Sequence, residues 1–315
     1  MNLFSSYLER ARLHVIQETE NDEEFGKSLK ILHVSKVAMD RIHEKKKLLT
    51  KDIPDENLNL YPNQPLILKN SRSSCLTLVS KDCRTIDKID QEASFFRIKG
   101  RNKEQKILMN ILQDREIRCI IVTGPAGTGK TTIIGSYLLE EVLEKKEYDK
   151  MILSKPLEIV TRTRYWGTVP GDEQEKFDPF LKSYQIMFED MVGNRGKGYI
   201  RQAMEAGDID FLPLELMRGA SLKECLCWYD EAQNLNYHEC NSLGSRIDDE
   251  GGSKLILSGD LNQRDRNIDK QNTGLMKVAE SPAFLNSPLT AHVHLTQNER
   301  GKISQLFHDI FDEEE

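Results

Sequence analysis

The chain has 315 residues, 38% of them hydrophobic and 30% charged, enough apolar content to bury a core under a polar surface. No apolar run approaches the length of a membrane span, which excludes a membrane-spanning helical protein. The net charge of −7 excludes a wholesale basic nucleic-acid binder but not a local basic groove, because binding follows charge distribution rather than the total.

Met1-Asn2-Leu3-Phe4-Ser5-Ser6 lacks the basic and apolar parts of a signal peptide, and a cytoplasmic location is expected. The six cysteines form no CxxC pair and have no histidine at zinc-like spacing, so reduced, buried thiols are expected. Residues 1–26 read as a polar, helix-prone arm ending in acidic residues. Leu29–Val34 then reads as a strand, and Ser35 caps a helix from Lys36 that ends in the lysine run 45–47. Pro54-Asp55-Glu56-Asn57 reads as a linker. From Leu60 the pattern changes to short β segments: 65–69 and 74–79 flank the turn Asn70-Ser71-Arg72-Ser73, and 85–89 adds a strand. Such a piece is too small to stand alone and should pack on the larger region C-terminal to it.

Arg101–Gln113 reads as a helix capped by Asn102. Two readings stand for the Asn102/Gln105 pair: a simple capped helix, or amides that hydrogen-bond an adenine edge. The β-branched run Ile120–Thr123 leads into Gly124-Pro125-Ala126-Gly127-Thr128-Gly129-Lys130-Thr131, and Thr132 onward has helical apolar spacing. Strand, glycine-rich turn and helix in that order predict a phosphate-binding loop. Its glycines let successive N–H groups face phosphate oxygens at the positive end of the helix. Lys130 would reach the β- and γ-phosphates, and the Thr131 hydroxyl would ligand Mg²⁺.

Residues 150–154 read as a second buried strand. Between Arg162 and Phe180 lies an unusual segment whose Arg162, Arg164, Tyr165 and Trp166 suit base stacking and phosphate contact. A packed loop with solvated charge is the competing reading. The apolar strand before Asp230-Glu231 ends in a carboxylate pair, where ligands of parallel sheets sit. With a phosphate loop about 100 residues upstream, Asp230 would hold Mg²⁺ and Glu231 would activate the attacking water. Cys225 and Cys227 alternate on this strand and should face one core. A third strand opens the run Lys254–Gln263 and leads to Asp260 and Gln263; Gln263 would contact the γ-phosphate and report its loss. A short strand at His292–Leu295 should give way to a capped helix with Arg300 in its first turns.

These motifs together resemble the PhoH-like ATPases, specifically the ATPase half of the PIN-PhoH fusion proteins. The resemblance rests on Arg101–Gln105, the phosphate loop, 170–176, Met217-Arg218-Gly219, Asp230–Asn234, Ser258-Gly259-Asp260 with Gln263, 272–275, and Val293–Thr296 with Glu299-Arg300. It implies a RecA-like core, related to superfamily 1 helicases, that assembles as a homo-hexameric ring and is associated with RNA. Fewer than the hundred-odd residues a PIN fold needs precede the joining piece, so no nuclease activity is expected. Ala220 stands where the family usually has a further arginine, leaving Arg218 as the candidate for ring or RNA contacts.

The expected fold is therefore a three-layer α/β P-loop NTPase at 101–315, preceded by a lead-in at 1–58 and a small β segment at 59–100. The expected function is ATP hydrolysis with Mg²⁺ coupled to RNA translocation or remodelling, with helicase activity on RNA or single-stranded nucleic acid more generally. Arg300 is expected to reach the γ-phosphate of an adjacent subunit. The competing class is a nucleotide-controlled interaction module that assembles with, or delivers RNA to, a separate partner nuclease.

Overall fold

The computed structural model describes residues 29–53, 58–156, 173–193, 196–212, 214, 222–248, 250–261, 263 and 273–299. The first unit begins with β1 (Lys30–His33), α1 (Lys36–Lys45) and β2 (Lys47–Leu49). It continues with β3 (Pro65–Lys69), β4 (Ser74–Val79) and β5 (Thr85–Lys88). Ser35 caps α1, its side chain accepting from the Ala38 N–H. The strands form one sheet in the order β1-β3-β4-β5-β2, with β1 parallel to β3 and the other pairs antiparallel. Strands on both sides of residue 58 thus share one sheet. Met39 and Ile42 of α1 close its core against Leu32, Leu66, Leu68 and Ile86.

A small hairpin, β6 (Ser94–Phe95) and β7 (Ile98–Lys99), links this unit to the larger one. The larger unit opens with α2 (Lys103–Gln113), β8 (Cys119–Thr123), α3 (Lys130–Leu139) and β9 (Lys150–Ser154). Next come α4 (Glu173–Val192), α5 (Gly196–Ala206), β10 (Ile209–Phe211), β11 (Cys225–Tyr229) and α6 (Tyr237–Gly244). The described part ends with β12 (Lys254–Gly259), α7 (Gly274–Ala279), α8 (Pro282–Leu285) and β13 (Thr290–His294). Six strands form an all-parallel sheet ordered β10-β9-β11-β12-β8-β13.

Strands buried on both faces read as continuous apolar runs, and their alternation divides the core in two. Ile120, Val122, Leu226, Trp228 and Ile256 face α2–α5, whereas Ile121, Cys225, Cys227, Tyr229 and Leu257 face α6–α8. The fold is the expected three-layer α/β P-loop architecture, with Cys225 and Cys227 in one core. Burial pushes the Cys227 thiol well up, consistent with an inert, packed group.

One expectation changes, and another falls largely outside the described residues. The stretch up to Phe180, for which a packed loop is the competing reading, is helical from Glu173, with Pro179 inside α4; Tyr184, Phe188 and Val192, four residues apart, bury the far half of that helix. Glu173-Gln174-Glu175-Lys176 are good helix formers, so the helical start of α4 agrees with local propensity. After β13, Leu295–Glu299 run without helix over the phosphate loop, and the residues expected to be helical beyond them lie outside the described set.

The two units are joined by hydrogen bonds. Asn63 donates its amide to the Pro288 and Thr290 carbonyls (2.9 and 2.8 Å), capping the edge strand of the large sheet. The Asp90 N–H donates to the Asn110 side chain of α2 (2.8 Å).

Candidate functional site

The loop between β8 and α3 is braced on three sides. Gly124 has φ +144°, and a Cβ there would lie 2.1 Å from the Leu295 carbonyl oxygen, so only glycine fits. Gly127 and Gly129 are also left-handed, and Gly129 forms the N-cap of α3. From the β13 side, the Leu295 N–H donates to the Thr123 carbonyl (2.8 Å) and the Glu299 N–H to the Gly127 carbonyl (2.9 Å). Glu104 of α2 holds this crossing segment, accepting from the N–H and the hydroxyl of Thr296 at 2.7 Å each. From α2, the Gln105 amide donates to the Thr128 carbonyl (2.9 Å) and accepts from the Arg101 N–H (2.8 Å). From the β12 side, the Asp260 carboxylate accepts from the Ala126 N–H (3.0 Å).

Lys130 donates to the Gly124 and Pro125 carbonyls, so its ammonium sits within the loop. Asn102 caps α2 and also donates to Glu299 (2.6 Å). Below the loop, the Thr123 hydroxyl bridges His292 and His294 (2.9 and 2.8 Å); burial first, then His294, lowers the His292 pKa to about 3.

Asp230 comes directly after β11. Its N–H donates to the Ser154 carbonyl, and its carboxylate accepts from the Ser258 hydroxyl (2.6 Å) and more weakly from Tyr184 (3.4 Å). Ser258 in turn accepts from the indole of buried Trp228 (2.8 Å), so the carboxylate is fixed by a packed chain of donors. Glu231 has φ +57°, a strained backbone for a glutamate of the kind that collects at functional sites. Burial, and next the Asp230 charge, raise its pKa above the ordinary carboxylate range.

Lys130, Asp230, Glu231, Asp260 and Gln105 open onto one cavity of about 790 Å³. The loop contributes Ala126, Gly127, Gly129, Lys130, Thr131 and Thr132 to its lining, the turns after β11 and β12 contribute Asp230, Glu231, Asp260 and Gln263, and Arg97, Ile98, Lys99, Arg101, Gln105 and Glu299 complete it. Thr131 and Asp230 offer a hydroxyl and a carboxylate, the hard oxygen donors that suit Mg²⁺ completed by phosphate and water. Among the described residues no group of three or more His, Cys, Asp or Glu gathers into an all-protein metal site.

The structure thus brings the phosphate loop, Asp230, Glu231, Gln263 and Gln105 to one cavity, with Asn102 bracing it from behind. Arg162, Arg164, Trp166, Arg218 and Arg300 lie outside the described residues. Asp260, read from the sequence with Gln263, reaches the loop backbone. Sequence reasoning missed two contributors. Gln233 is buried between Glu231 and the turn after β12; its amide within Asp-Glu-Ala-Gln was the available signal. The β6–β7 hairpin carries no turn signal at all, since its tip is Phe96-Arg97.

The PhoH-like protein family matches residues 97–312. Protein PhoH2 of Thermobispora bispora is 32% identical over 241 residues, covering 76% of this chain and 53% of the relative. Protein PhoH2 of Bacillus subtilis is 27% identical over 297 residues, covering 92% of this chain and 65% of the relative. The chain therefore spans about half to two thirds of the length of these relatives. Among solved structures, the Pif1 helicase of Candida albicans aligns with a TM-score of 0.36 and 16% identity, over 68% of this chain and 44% of that one.

Proposed function

The chain belongs to the PhoH-like protein family, and on that premise we propose that it binds ATP with Mg²⁺ and hydrolyses it, coupling turnover to movement along or remodelling of RNA as a homo-hexameric ring. One observation carries the hydrolytic part: Lys130, Thr131, Asp230 and the strained, partly buried Glu231 converge on a single cavity around the phosphate loop. Lys130 would exchange loop carbonyls for β- and γ-phosphate oxygens, and Thr131 with Asp230 would hold Mg²⁺, which supplies charge neutralisation on those phosphates. Glu231, ionised, takes the proton of the attacking water; Gln263, at the cavity edge, senses the γ-phosphate.

The ring and the RNA rest on family membership and on two features of the chain. The described residues contain one P-loop sheet, and in the proposed ring a neighbouring subunit completes the site. The arginine and tryptophan at 162–166 suit a strand channel. Arg300 is assigned to the γ-phosphate of the adjacent subunit, where arginine fingers are worth about 10³–10⁵ in rate.

The test is steady-state ATP turnover with and without RNA, alongside mass in solution with and without nucleotide. RNA-stimulated turnover by a ring is expected. Negligible turnover with ATP-dependent assembly would replace this reading with the nucleotide-controlled interaction module.

A further inference from the structure

We propose that the β6–β7 turn is the nucleobase platform of this site, with the Arg97 side chain covering the face of the base. The inference rests on the nucleotide reading above and names the part of the site that reads the nucleoside. The P-loop strand β8 lies between β12 and β13. Asp230, Glu231, Asp260 and Gln263 lie on the β11–β12 side of the cavity, and Arg97, Ile98 and Arg101 line it with them. Thr131, Thr132 and Ile133 line the same cavity as Arg97 and Ile98, so a triphosphate whose terminal phosphate meets Lys130 and Glu231 could carry its base to the hairpin.

The hairpin is built in a way that local preferences do not explain. Phe96 and Arg97 form its two-residue tip with φ +48° and +68°, both left-handed. Two-residue hairpin turns of this kind favour Asn-Gly, and a bulky residue at either position is strained. The surroundings hold the strain in place. Phe95 is fully buried and packs edge-on against Tyr137 of α3, ring centroids 5.1 Å apart. The Phe96 N–H donates to the Glu140 carboxylate at 2.5 Å, just beyond α3. The turn is therefore fastened to the same helix that begins at the phosphate loop.

Of the two hairpin cations, Lys99 is paired with Glu92 at 2.8 Å, whereas Arg97 is exposed to the cavity and forms no ion pair among the described residues. A guanidinium plane stacks on a purine face and Ile98 adds apolar contact beside it, so this end of the cavity suits a flat, aromatic group.

The experiment measures Kd for ADP and for inorganic tripolyphosphate by calorimetry, with melting temperatures, for the full chain and for R97A and R97G. Glycine relieves the left-handed backbone, so R97G is expected to melt no lower than wild type. Both variants are expected to bind ADP about tenfold more weakly, the scale of a partly desolvated cation–π contact. Their affinity for tripolyphosphate should stay within about twofold of wild type, because a stacked guanidinium contributes little to a ligand without a base. Unchanged ADP affinity would overturn the proposal. So would an equal loss for tripolyphosphate, which would make Arg97 a phosphate ligand. A wild-type chain that binds neither probe would sink the nucleotide reading itself, and this inference with it.

Discussion

Gln233 donates its side-chain N–H to the Glu231 carboxylate at 2.7 Å, and the same nitrogen donates to the Gln263 carbonyl at 2.8 Å. Its oxygen accepts from the Asp260 N–H at 3.1 Å, and Asp260 in turn reaches the phosphate loop at Ala126. One buried amide thus ties the carboxylate to the turn that touches the loop. Gly259 makes room for it: a Cβ there would stand 2.5 Å from the Gln233 oxygen.

This geometry has a consequence for pH. Burial and Asp230 raise the Glu231 pKa, and the Gln233 hydrogen bond lowers it. Replacing Gln233 by leucine removes the lowering contribution, so the folded-state pKa rises further. If ionised Glu231 is the active form, the acid limb of the kcat profile should move to higher pH in Q233L, with a smaller change at high pH. An acid limb at the wild-type position would show that Gln233 does not position Glu231.

Gly124→Ala should be among the most damaging single-methyl additions in the chain. The residue holds a backbone that alanine tolerates poorly, and the new Cβ would meet the main chain at Leu295. A loss of roughly 2 kcal/mol or more is expected, together with loss of nucleotide binding. Denaturant unfolding and ADP titration check it; a variant as stable as wild type would contradict the observed contact between β13 and the loop.

Much of this was legible in the chain itself. The core strands at 119–123, 150–154 and 254–259 stand out because parallel strands buried on both faces are unbroken apolar runs. Ser35 and Asn102 announce their helices because a cap is a local, side-chain-specific interaction. What escaped depends on distant partners. The β1–β3 pairing joins residues across a linker, and the course of Leu295–Glu299 is set by Glu104 and Gly127. The Phe96-Arg97 turn lacks the glycine or asparagine that marks such turns.

Lys254 offers a stability test away from the site. Its ammonium is buried at the start of β12 and donates to the Leu112 and Asp114 carbonyls at the end of α2. Burial lowers its pKa from 10.5 to about 7. The unfolded chain therefore binds the extra proton between those two values, and stability should rise with pH across that window. Lys254→Met should flatten this rise in thermal melts from about pH 7 to about pH 10. An equally steep rise in the variant would assign the effect elsewhere.

For RNA, Arg162→Ala with Arg164→Ala should weaken binding and flatten its salt dependence, because fewer phosphate charges are neutralised. Trp166→Ala should cost about 1–3 kcal/mol of affinity through lost stacking. An unchanged salt slope in a folded protein would return this segment to a packed loop.

The division of labour between Lys130 and Glu231 is tested most directly by single-turnover ATP hydrolysis with Glu231→Gln, beside an ATP binding titration of the same variant. ATP should bind with a Kd within a few-fold of wild type while hydrolysis falls by about 10² or more, the usual share of a general base. Lys130→Ala should instead lose the binding. A Glu231→Gln variant that hydrolyses ATP at the wild-type rate would contradict the account, because the strained carboxylate lining this cavity would then have no part in the chemistry.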